Sequence, residues 1–148
     1  MDDLIIRRAR PADLACVTRL ALSLWPGHDP QELSDDLTPL LEAPDAAIFL
    51  CLRGEEAIGF AQCQLRRDYV EGCETSPVGY LEGVYVEEGS RRQGMAAALL
   101  KACESWSLLQ GCREFASDCE LDNADSLCFH LASGFEEANR IICFVKKL

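Results

Sequence analysis

The sequence predicts an α/β fold, in which strands and helices alternate along one chain. Strand-like apolar runs alternate with segments of helical periodicity, in the order strand, two helices, three strands, helix, strand, helix, strand. A short loop rich in Arg and Gly joins one apolar strand directly to an Ala-rich helix. The 148 residues contain no repeat, low-complexity stretch or long linker, so we expect a single domain over residues 1–148.

The strands are predicted by apolar runs that end at turn-forming residues. The second and third runs flank Gly54-Glu55 and should pair as a hairpin, after which a polar loop covers residues 68–77. The predicted strands span residues 4–8, 46–53, 57–67, 78–86, 112–118 and 140–146.

The helices are predicted by apolar residues at spacings of three and four, and by residues that begin or end helices. The first begins at Pro11, whose fixed φ suits a first turn, and ends at Trp25-Pro26-Gly27. The second stops before Ala43-Pro44, the third at Gly111 and the fourth at Ser133-Gly134. The last three predicted helices span residues 30–41, 91–110 and 123–132.

The chain is strongly acidic, with a net charge of −11 and a pI near 4.5. Nucleic-acid binding is disfavoured, because contacts to phosphates need a basic surface, whereas an acidic field attracts cations. Plain solubility is the alternative meaning of such a charge. No apolar run approaches the ~20 residues of a membrane span, and the acidic N-terminus is unlike a signal peptide. We therefore expect a cytoplasmic protein that does not bind membranes.

Nine cysteines are present, and their pattern argues against a disulfide framework. The count is odd, and no pair has the spacing Cys-x-x-Cys. We expect small apolar core residues instead, and no structural metal. A nucleophilic role for Cys112 or Cys119 is not expected, since neither has a basic and acidic pattern nearby in sequence. The cysteines inside apolar patterns are Cys51, Cys63, Cys103, Cys128 and Cys143.

The Arg- and Gly-rich loop runs from Arg91 to Ala96. A strand–loop–helix junction points backbone N–H groups at one spot beside the positive end of the helix dipole, which suits a pyrophosphate. Gly94 would let an anion approach the backbone closely. The loop lacks the Gly-Lys-Ser/Thr ending of a P-loop and the glycine spacing of a dinucleotide fingerprint. An ordinary surface loop is the alternative.

Two acidic residues are candidates for chemistry. Glu82 lies inside a nearly all-apolar strand, where an unpartnered carboxylate would be costly to desolvate. Asp118 ends the neighbouring predicted strand, so both acids should lie near strand ends, where ligands collect in open sheets. Two solvated acids are the alternative. Strict alternation would put on the same face as Glu82 the side chains of Tyr80, Val84 and Val86.

The form Arg-x-x-Gly-x-Ala after a strand resembles the pyrophosphate loop of the GCN5-related N-acetyltransferases, the GNAT family. The short helix ending in Gly134-Phe135 and the order of elements are similar to that family over nearly the whole chain. The resemblance implies a mixed central sheet flanked by helices. Residues 75–86 and 114–118 look like one branch, the aminoglycoside 6'-N-acetyltransferases of antibiotic-resistant bacteria.

The resemblance implies a homodimer that transfers acetyl from acetyl-CoA directly to the 6'-amine of a cationic drug. Acetyl-CoA would be bound by Val84, Val86, Arg91, Arg92, Gln93, Gly94, Met95, Ala96 and Asn123. The drug site would be lined by Trp25, Tyr69, Glu82, Asp118 and Glu137. Catalytic roles would fall to Glu82, Asp118 and His130.

The chemistry of these residues agrees with that assignment. Carboxylates on an acidic domain would attract a polycation, and aromatic faces could pack its sugar rings. Glu82 could take the proton of the substrate ammonium, directly or through a water, and backbone N–H groups near Val84 could stabilise the carbonyl oxygen. For Trp25 and Tyr69, packing in the core or at its rim is the alternative.

His130 stands where the family often has a Tyr that protonates the leaving thiolate. An imidazole can donate that proton, but contact with CoA or simple packing are alternatives, so the general acid stays open. Two other functions also stay open, because fold does not set function. One is acetylation of another amine, such as a polyamine or a protein N-terminus, and the other is a non-catalytic acyl-CoA-binding or drug-binding module. Residues 76–82 favour the drug, and Glu82 together with the loop argues against the module.

Overall fold

The computed structural model describes residues 3–148 as a five-stranded sheet with helices on both faces. The strands are β1 (Leu4–Arg8), β2 (Ala46–Arg53), β3 (Glu56–Arg66), β4 (Val78–Val86) and β5 (Phe115–Ala116). The helices are α1 (Leu14–Leu24), α2 (Pro30–Leu40), α3 (Met95–Leu109) and α4 (Ala124–Ala132).

The strand order is β1-β2-β3-β4-β5, and neighbours are antiparallel except for the parallel pair β4–β5. This mixed sheet confirms the predicted fold class. One face packs against α1 and α2 around Leu20, Leu37 and Phe60, and the other packs against α3 around Leu99 and Trp106. Burial of these apolar side chains is the main stabilising contribution to the fold.

A β-bulge in β4 lies at Glu82. Gln62 on β3 pairs with Gly83, and Cys63 pairs with Leu81, so Glu82 is an extra residue in the ladder. An extra residue bends the strand and re-aims its side chains. After Glu82, each side chain of β4 therefore points to the face opposite the one that regular alternation would give it.

The prediction that Tyr80, Val84 and Val86 lie on the same face of the sheet as Glu82 is wrong. Val84 and Val86 pack on the α3 side of the sheet, whereas Glu82 lines a cleft on the α2 side together with Trp25. Tyr80, before the bulge, belongs to a separate small cluster. Because side chains alternate along a strand, one extra residue moves all later ones to the opposite face.

Helix α3 begins at Met95, not at residue 91 as predicted. Arg92 and Gly94 have positive φ angles of 64° and 81°, which a right-handed helix cannot contain. A short 3₁₀ turn at Glu88–Ser90 precedes them. Residues 91–94 therefore form a loop that leads into the helix.

The structure differs from the prediction at the last two predicted strands, residues 112–118 and 140–146. Phe115 pairs with Gly79 and Ala116 with Tyr80, and the β4–β5 ladder ends there, just before the bulge. β5 is thus two residues long rather than covering residues 112–118. Residues 140–146 form no strand in the single chain, since none of the described strands pairs with them. A strand forms only where a neighbour accepts and donates its backbone hydrogen bonds.

The structure places the cysteines partly as expected. Cys51, Cys63 and Cys103 are buried, but Cys128 and Cys143 are exposed, contrary to the prediction. Cys128 lies on the outer side of α4, and Cys143 lies in the C-terminal segment that pairs with no strand. Among residues 3–148, no helix is both long enough and apolar enough to cross a membrane.

Candidate active site

Glu82 is held in an ion pair with Arg66, the last residue of β3. Arg66 donates to Glu82 Oε1 from Nε at 3.2 Å and from Nη2 at 2.8 Å, and Nη2 also lies 3.1 Å from Oε2. The Glu82 side chain is 20% exposed. The guanidinium gives this half-buried carboxylate the partner that its desolvation requires. The sequence pattern carries no signal for Arg66, because an Arg at a strand end is common.

Tyr80 connects this ion pair to Asp118. The guanidinium carbon of Arg66 lies 3.4 Å from the centroid of the Tyr80 ring, a cation–π contact. The Tyr80 hydroxyl donates a hydrogen bond to Asp118 Oδ2. Burial, together with that carboxylate, raises the pKa of Tyr80, so its hydroxyl stays protonated and continues to donate. The two acids expected to be catalytic are thus joined through Arg66 and Tyr80.

A cleft of about 220 Å³, called here the Glu82 cleft, opens between the sheet and α2. Trp25 forms one wall, with its ring edge-on to Phe60 at a centroid distance of 6.1 Å. A Cβ on Gly83 would lie 2.7 Å from the Trp25 ring, so only a glycine lets the indole pack here against β4. The structure brings Trp25 and Glu82 to one cleft. Its other lining residues, for which the sequence has no motif, are His28, Leu33, Asp36, Leu37, Leu40 and Gln62.

Tyr69 and Glu137 are not among the described residues that line this cleft. Tyr69 is 79% exposed, and its hydroxyl donates to Glu71. Glu137 accepts a hydrogen bond from Arg140, which holds the pKa of this exposed carboxyl below its usual range. The two segments touch, because Asn139 Nδ2 donates to Glu71 Oε1 at 2.8 Å. In the single chain they form a separate exposed patch.

A second cleft of about 310 Å³, called here the loop cleft, lies between the end of β4, the start of α3 and α4. Residues expected to bind acetyl-CoA that line it are Val86, Arg91, Arg92, Gly94, Met95 and Ala96. The remaining lining residues are Ser90, Ala97, Phe129, Ala132 and Ser133. The members from α4 carry no motif, because that helix meets the loop only in the folded chain.

Three other residues expected to bind acetyl-CoA do not line the loop cleft. Val84 packs in the core on the α3 side. Gln93 Oε1 accepts a hydrogen bond from Arg53 Nη2 at 3.2 Å. Asn123 caps α4, since its Oδ1 accepts from the backbone N–H of Ser126 at 3.1 Å. In this structure the Asn123 side chain therefore acts as the N-cap of α4, a role that the sequence analysis did not predict.

The start of α3 offers unpaired backbone donors to the loop cleft. The first helical N–H with an acceptor is that of Ala98, which donates to Gly94 O at 3.0 Å. The N–H groups before it are those that a helix start leaves without partners. At Gly94, no atom lies within 4 Å of where a Cβ would stand. Arg91 Nε anchors the loop by donating to Val86 O at 2.8 Å. The arrangement suits a phosphate group.

His130 has a hydrogen-bond partner at each ring nitrogen. Nδ1 lies 2.7 Å from the carbonyl oxygen of Ser126, which can only accept, so Nδ1 carries a proton. Nε2 lies 2.8 Å from Ser117 Oγ, and that hydroxyl lies 3.4 Å from Leu81 O. Ser117 can thus donate to a neutral His130, or accept from a protonated one while donating to Leu81. His130 therefore reaches the end of the β4–β5 pair through Ser117, a residue with no sequence motif.

A nucleophilic role for the Cys112 thiol is not favoured by the structure. Burial raises the pKa of the Cys51, Cys73 and Cys112 thiols. A thiol that stays protonated is a poor nucleophile, because the thiolate is the reactive form.

Comparisons with known proteins agree with this arrangement. The Acetyltransferase (GNAT) family model matches residues 14–135. An aminoglycoside N(6')-acetyltransferase type 1 of Stenotrophomonas maltophilia is 44% identical over 140 residues, which cover 94% of this chain and 90% of the relative. One from Salmonella enteritidis is 39% identical over 142 residues, covering 96% and 98%.

Solved structures agree as well. Aminoglycoside N-acetyltransferase AAC(6')-Iy in complex with CoA has a TM-score of 0.97 and 38% identity, covering 100% of this chain and 97% of the other. The same enzyme with the bisubstrate analogue CoA-S-monomethyl-acetylneamine has a TM-score of 0.95 at 38% identity, covering 99% of each chain. This chain therefore belongs to the GNAT acetyltransferase family, in its aminoglycoside 6'-N-acetyltransferase branch.

Proposed function

We propose that this protein transfers the acetyl group of acetyl-CoA to the 6'-amine of aminoglycosides in the cytoplasm, and so confers resistance. The observation that carries the proposal is the position of Glu82. It lies at the β4 bulge, faces an aromatic-walled cleft, and shares its strand with Val86 of the loop cleft. One strand therefore carries a carboxylate for an amine and leads directly to a site for a phosphate-bearing donor.

The loop cleft suits the pyrophosphate of acetyl-CoA. Residues at the start of α3, whose first N–H groups have no partner within the helix, line it, and Arg91 and Arg92 border it with positive charge. Phe129 and Ala132 on α4 give it an apolar wall. Acetyl-CoA supplies the acetyl group as a thioester, whose carbonyl carbon accepts the amine. The similarity to structures solved with CoA supports this donor.

The Glu82 cleft suits the drug. Glu82 and Asp118 bind ammonium groups, and Trp25 packs against a sugar ring. The net charge of −11 draws a polycation toward the protein. Tyr69 and Glu137 lie outside the cleft in the single chain, and their part in the proposal rests on the resemblance to the family alone.

Glu82 then removes the proton from the 6'-ammonium, directly or through a water, because only the neutral amine is a nucleophile. The β4–β5 ladder ends at Tyr80, so the edge of β4 beyond the bulge has no β5 partner. Backbone N–H groups on that edge, near Val84, donate to the carbonyl oxygen as it gains charge. When His130 is protonated at both ring nitrogens, Ser117 donates its hydroxyl proton to the leaving thiolate and takes the Nε2 proton of His130, which is left neutral.

A steady-state assay with acetyl-CoA and a panel of amines tests the function. An aminoglycoside with a 6'-amine should be acetylated once, whereas a matched drug with a hydroxyl at that position should not react. Faster turnover of a polyamine or a peptide N-terminus than of the aminoglycoside would show that the protein acetylates another amine. Binding of both ligands without any turnover would make the chain a non-catalytic module.

A homodimer is part of the proposal, and its partner surface is the C-terminal segment, residues 139–148. Ile142, Phe144 and Val145 are exposed there, and Phe144 is 90% exposed in the single chain. The segment pairs with no strand, and β5 leaves an open sheet edge. An apolar segment beside an open edge favours pairing with the same segment of a second copy.

A further inference from the structure

Arg66 places a cation directly against Glu82, the carboxylate of the proposed drug site. Its guanidinium lies over the Tyr80 ring and makes a two-pronged contact with Glu82, so both carboxylate oxygens are engaged. In the β3–β4 ladder, Arg66 pairs with Val78 and Gln64 pairs with Tyr80. The Arg66 side chain must therefore extend along the sheet, across Tyr80, to reach Glu82.

This ion pair conflicts with the role of a free carboxylate. A guanidinium that donates to both oxygens competes with a substrate ammonium for the acceptor positions of Glu82. The Arg66 side chain, however, is 40% exposed, twice as much as that of Glu82. Its charged end can leave for solvent without losing a buried position.

We infer that Arg66 is a resident counter-ion, which the substrate ammonium must displace from Glu82 before the amine can react. The inference rests on the proposed acetylation of aminoglycosides. A single ammonium gains little by replacing a guanidinium that is both doubly hydrogen-bonded and stacked on Tyr80. A polycation gains more, since its other ammonium groups bind Asp118 and the acidic field at the same time. Arg66 thereby favours polycationic substrates over simple amines.

The test compares Arg66→Met with Arg67→Met by calorimetric titration of an aminoglycoside. Methionine keeps an unbranched stem over Tyr80 but removes the cation. Arg67 is the matched control, because its substitution removes the same charge, and its ion pair with the exposed Asp45 is long, at 3.9 Å. Arg66→Met should bind the drug roughly three- to tenfold more tightly than Arg67→Met. CoA affinity should be equal in both variants.

Two further measurements separate displacement from a general charge effect. A monosaccharide with a single 6-amine should gain more affinity from Arg66→Met than the polycationic drug gains. In a Glu82→Gln background, the gain from Arg66→Met should disappear, because no carboxylate is then released. Should Arg66→Met fail to fold, Arg66→Lys decides, since it keeps the charge but loses the planar fork, and a smaller gain in the same direction is expected.

Weaker drug binding by Arg66→Met would show that Arg66 positions Glu82 for the substrate, and it would overturn the inference. Equal binding by Arg66→Met and Arg67→Met would overturn it as well. Turnover of the drug by the unaltered protein tests the proposed function separately. A lack of turnover would therefore refute the proposed function. The comparison of drug binding by Arg66→Met and Arg67→Met would still decide the role of Arg66.

Discussion

At the residue scale, the side chains around the β4 bulge form one connected set. Arg66 contacts both Glu82 and Tyr80, and Tyr80 donates to Asp118. Such a network couples its members, so removing one changes the binding and the basicity of the others. Single substitutions here should be judged by separate effects on kcat, on the KM for the drug and on CoA affinity.

Glu82→Gln keeps the shape of the side chain and removes the base. The kcat at neutral pH should fall by ~10²–10⁴-fold, the usual contribution of general-base catalysis, and it should recover at higher pH, where the amine is already neutral. A pH–rate profile checks both effects. Glu87→Gln is the control, because Glu87 directly follows the last residue of the same strand but pairs with Arg19 at 2.7 Å. A rise in the drug KM alone would make Glu82 a cation ligand and not the base.

Ser117→Ala interrupts the proposed path from His130 to the leaving thiolate. The kcat should fall about tenfold, at the lower end of acid catalysis, because a thiolate leaves readily. The KM for acetyl-CoA should stay unchanged. The variants Ser117→Ala and His130→Gln should not be additive in the double variant, since they break one path. Independent, additive effects would mean that His130 only packs between Phe129 and Phe135.

At the scale of elements, β4 arranges both clefts. Its bulge turns Glu82 toward α2, its separation from β5 opens one strand edge, and its end leads into the loop before α3. Helix α1 is tied to the sheet at its own start, where Asp13 accepts hydrogen bonds from both Arg7 Nη atoms at 2.8 and 2.9 Å.

Gly94→Val tests the loop. A β-branched residue is strained at the φ of +81°, and its side chain would occupy open space at the lining of the loop cleft beside the start of α3. CoA affinity should fall about ten- to hundredfold, the loss expected for charge-assisted hydrogen bonds, while drug binding is retained. Isothermal calorimetry with each ligand measures both. Gly89→Val is the control, because no atom lies within 4 Å there and its φ is not positive. Unchanged CoA affinity in Gly94→Val would refute the loop assignment.

Asp13→Asn tests the tie between β1 and α1. The hydrogen bond from Arg7 lowers the pKa of Asp13 from 3.8 to about 2, so the stabilisation is complete above about pH 4 and is lost as the pH falls through about 2. The variant should lose about 1–2 kcal/mol of unfolding free energy at neutral pH. Urea titrations should show the difference from the unaltered protein shrinking below about pH 4. Asp45→Asn, whose partner Arg67 lies 3.9 Å away, should cost less at every pH. A difference that does not depend on pH would contradict the ion-pair account.

At the scale of the whole molecule, charge and the C-terminal segment matter most. The net charge of −11 favours approach of a polycation, an effect that salt weakens by screening. Apolar side chains among residues 139–148 are exposed to solvent in the single chain, which is typical of an interface.

Sedimentation should give about twice the chain mass of 16.4 kDa at micromolar concentration. Phe144→Asp should shift the protein toward the monomer, because a carboxylate would be buried without a partner in the dimer. Phe144→Leu keeps an apolar side chain and should stay dimeric. A monomer at every concentration for the unaltered protein would rule out the proposed assembly.

The amino-acid sequence by itself determined the order of elements from β1 to α4, the loop before α3 and the identity of the half-buried carboxylate in β4. The hairpin β2–β3, the helix α2 and the bounds of β4 follow the prediction within about two residues, whereas α1 begins at Leu14, after a 3₁₀ turn at Pro11–Asp13. These features depend on local causes: apolar periodicity, helix-starting Pro11, turn-forming glycines and the cost of an acid in an apolar strand.

Only the tertiary structure decided which side chains meet. The bulge at Glu82 depends on the register of β3 against β4, and it moved Val84 and Val86 to the other face. The ion pair with Arg66 joins residues sixteen positions apart, through that same register. Residues 140–146 have strand-like composition, but none of the described strands pairs with them. Register and strand partners are set by contacts between distant segments, and a local pattern of residues does not contain them.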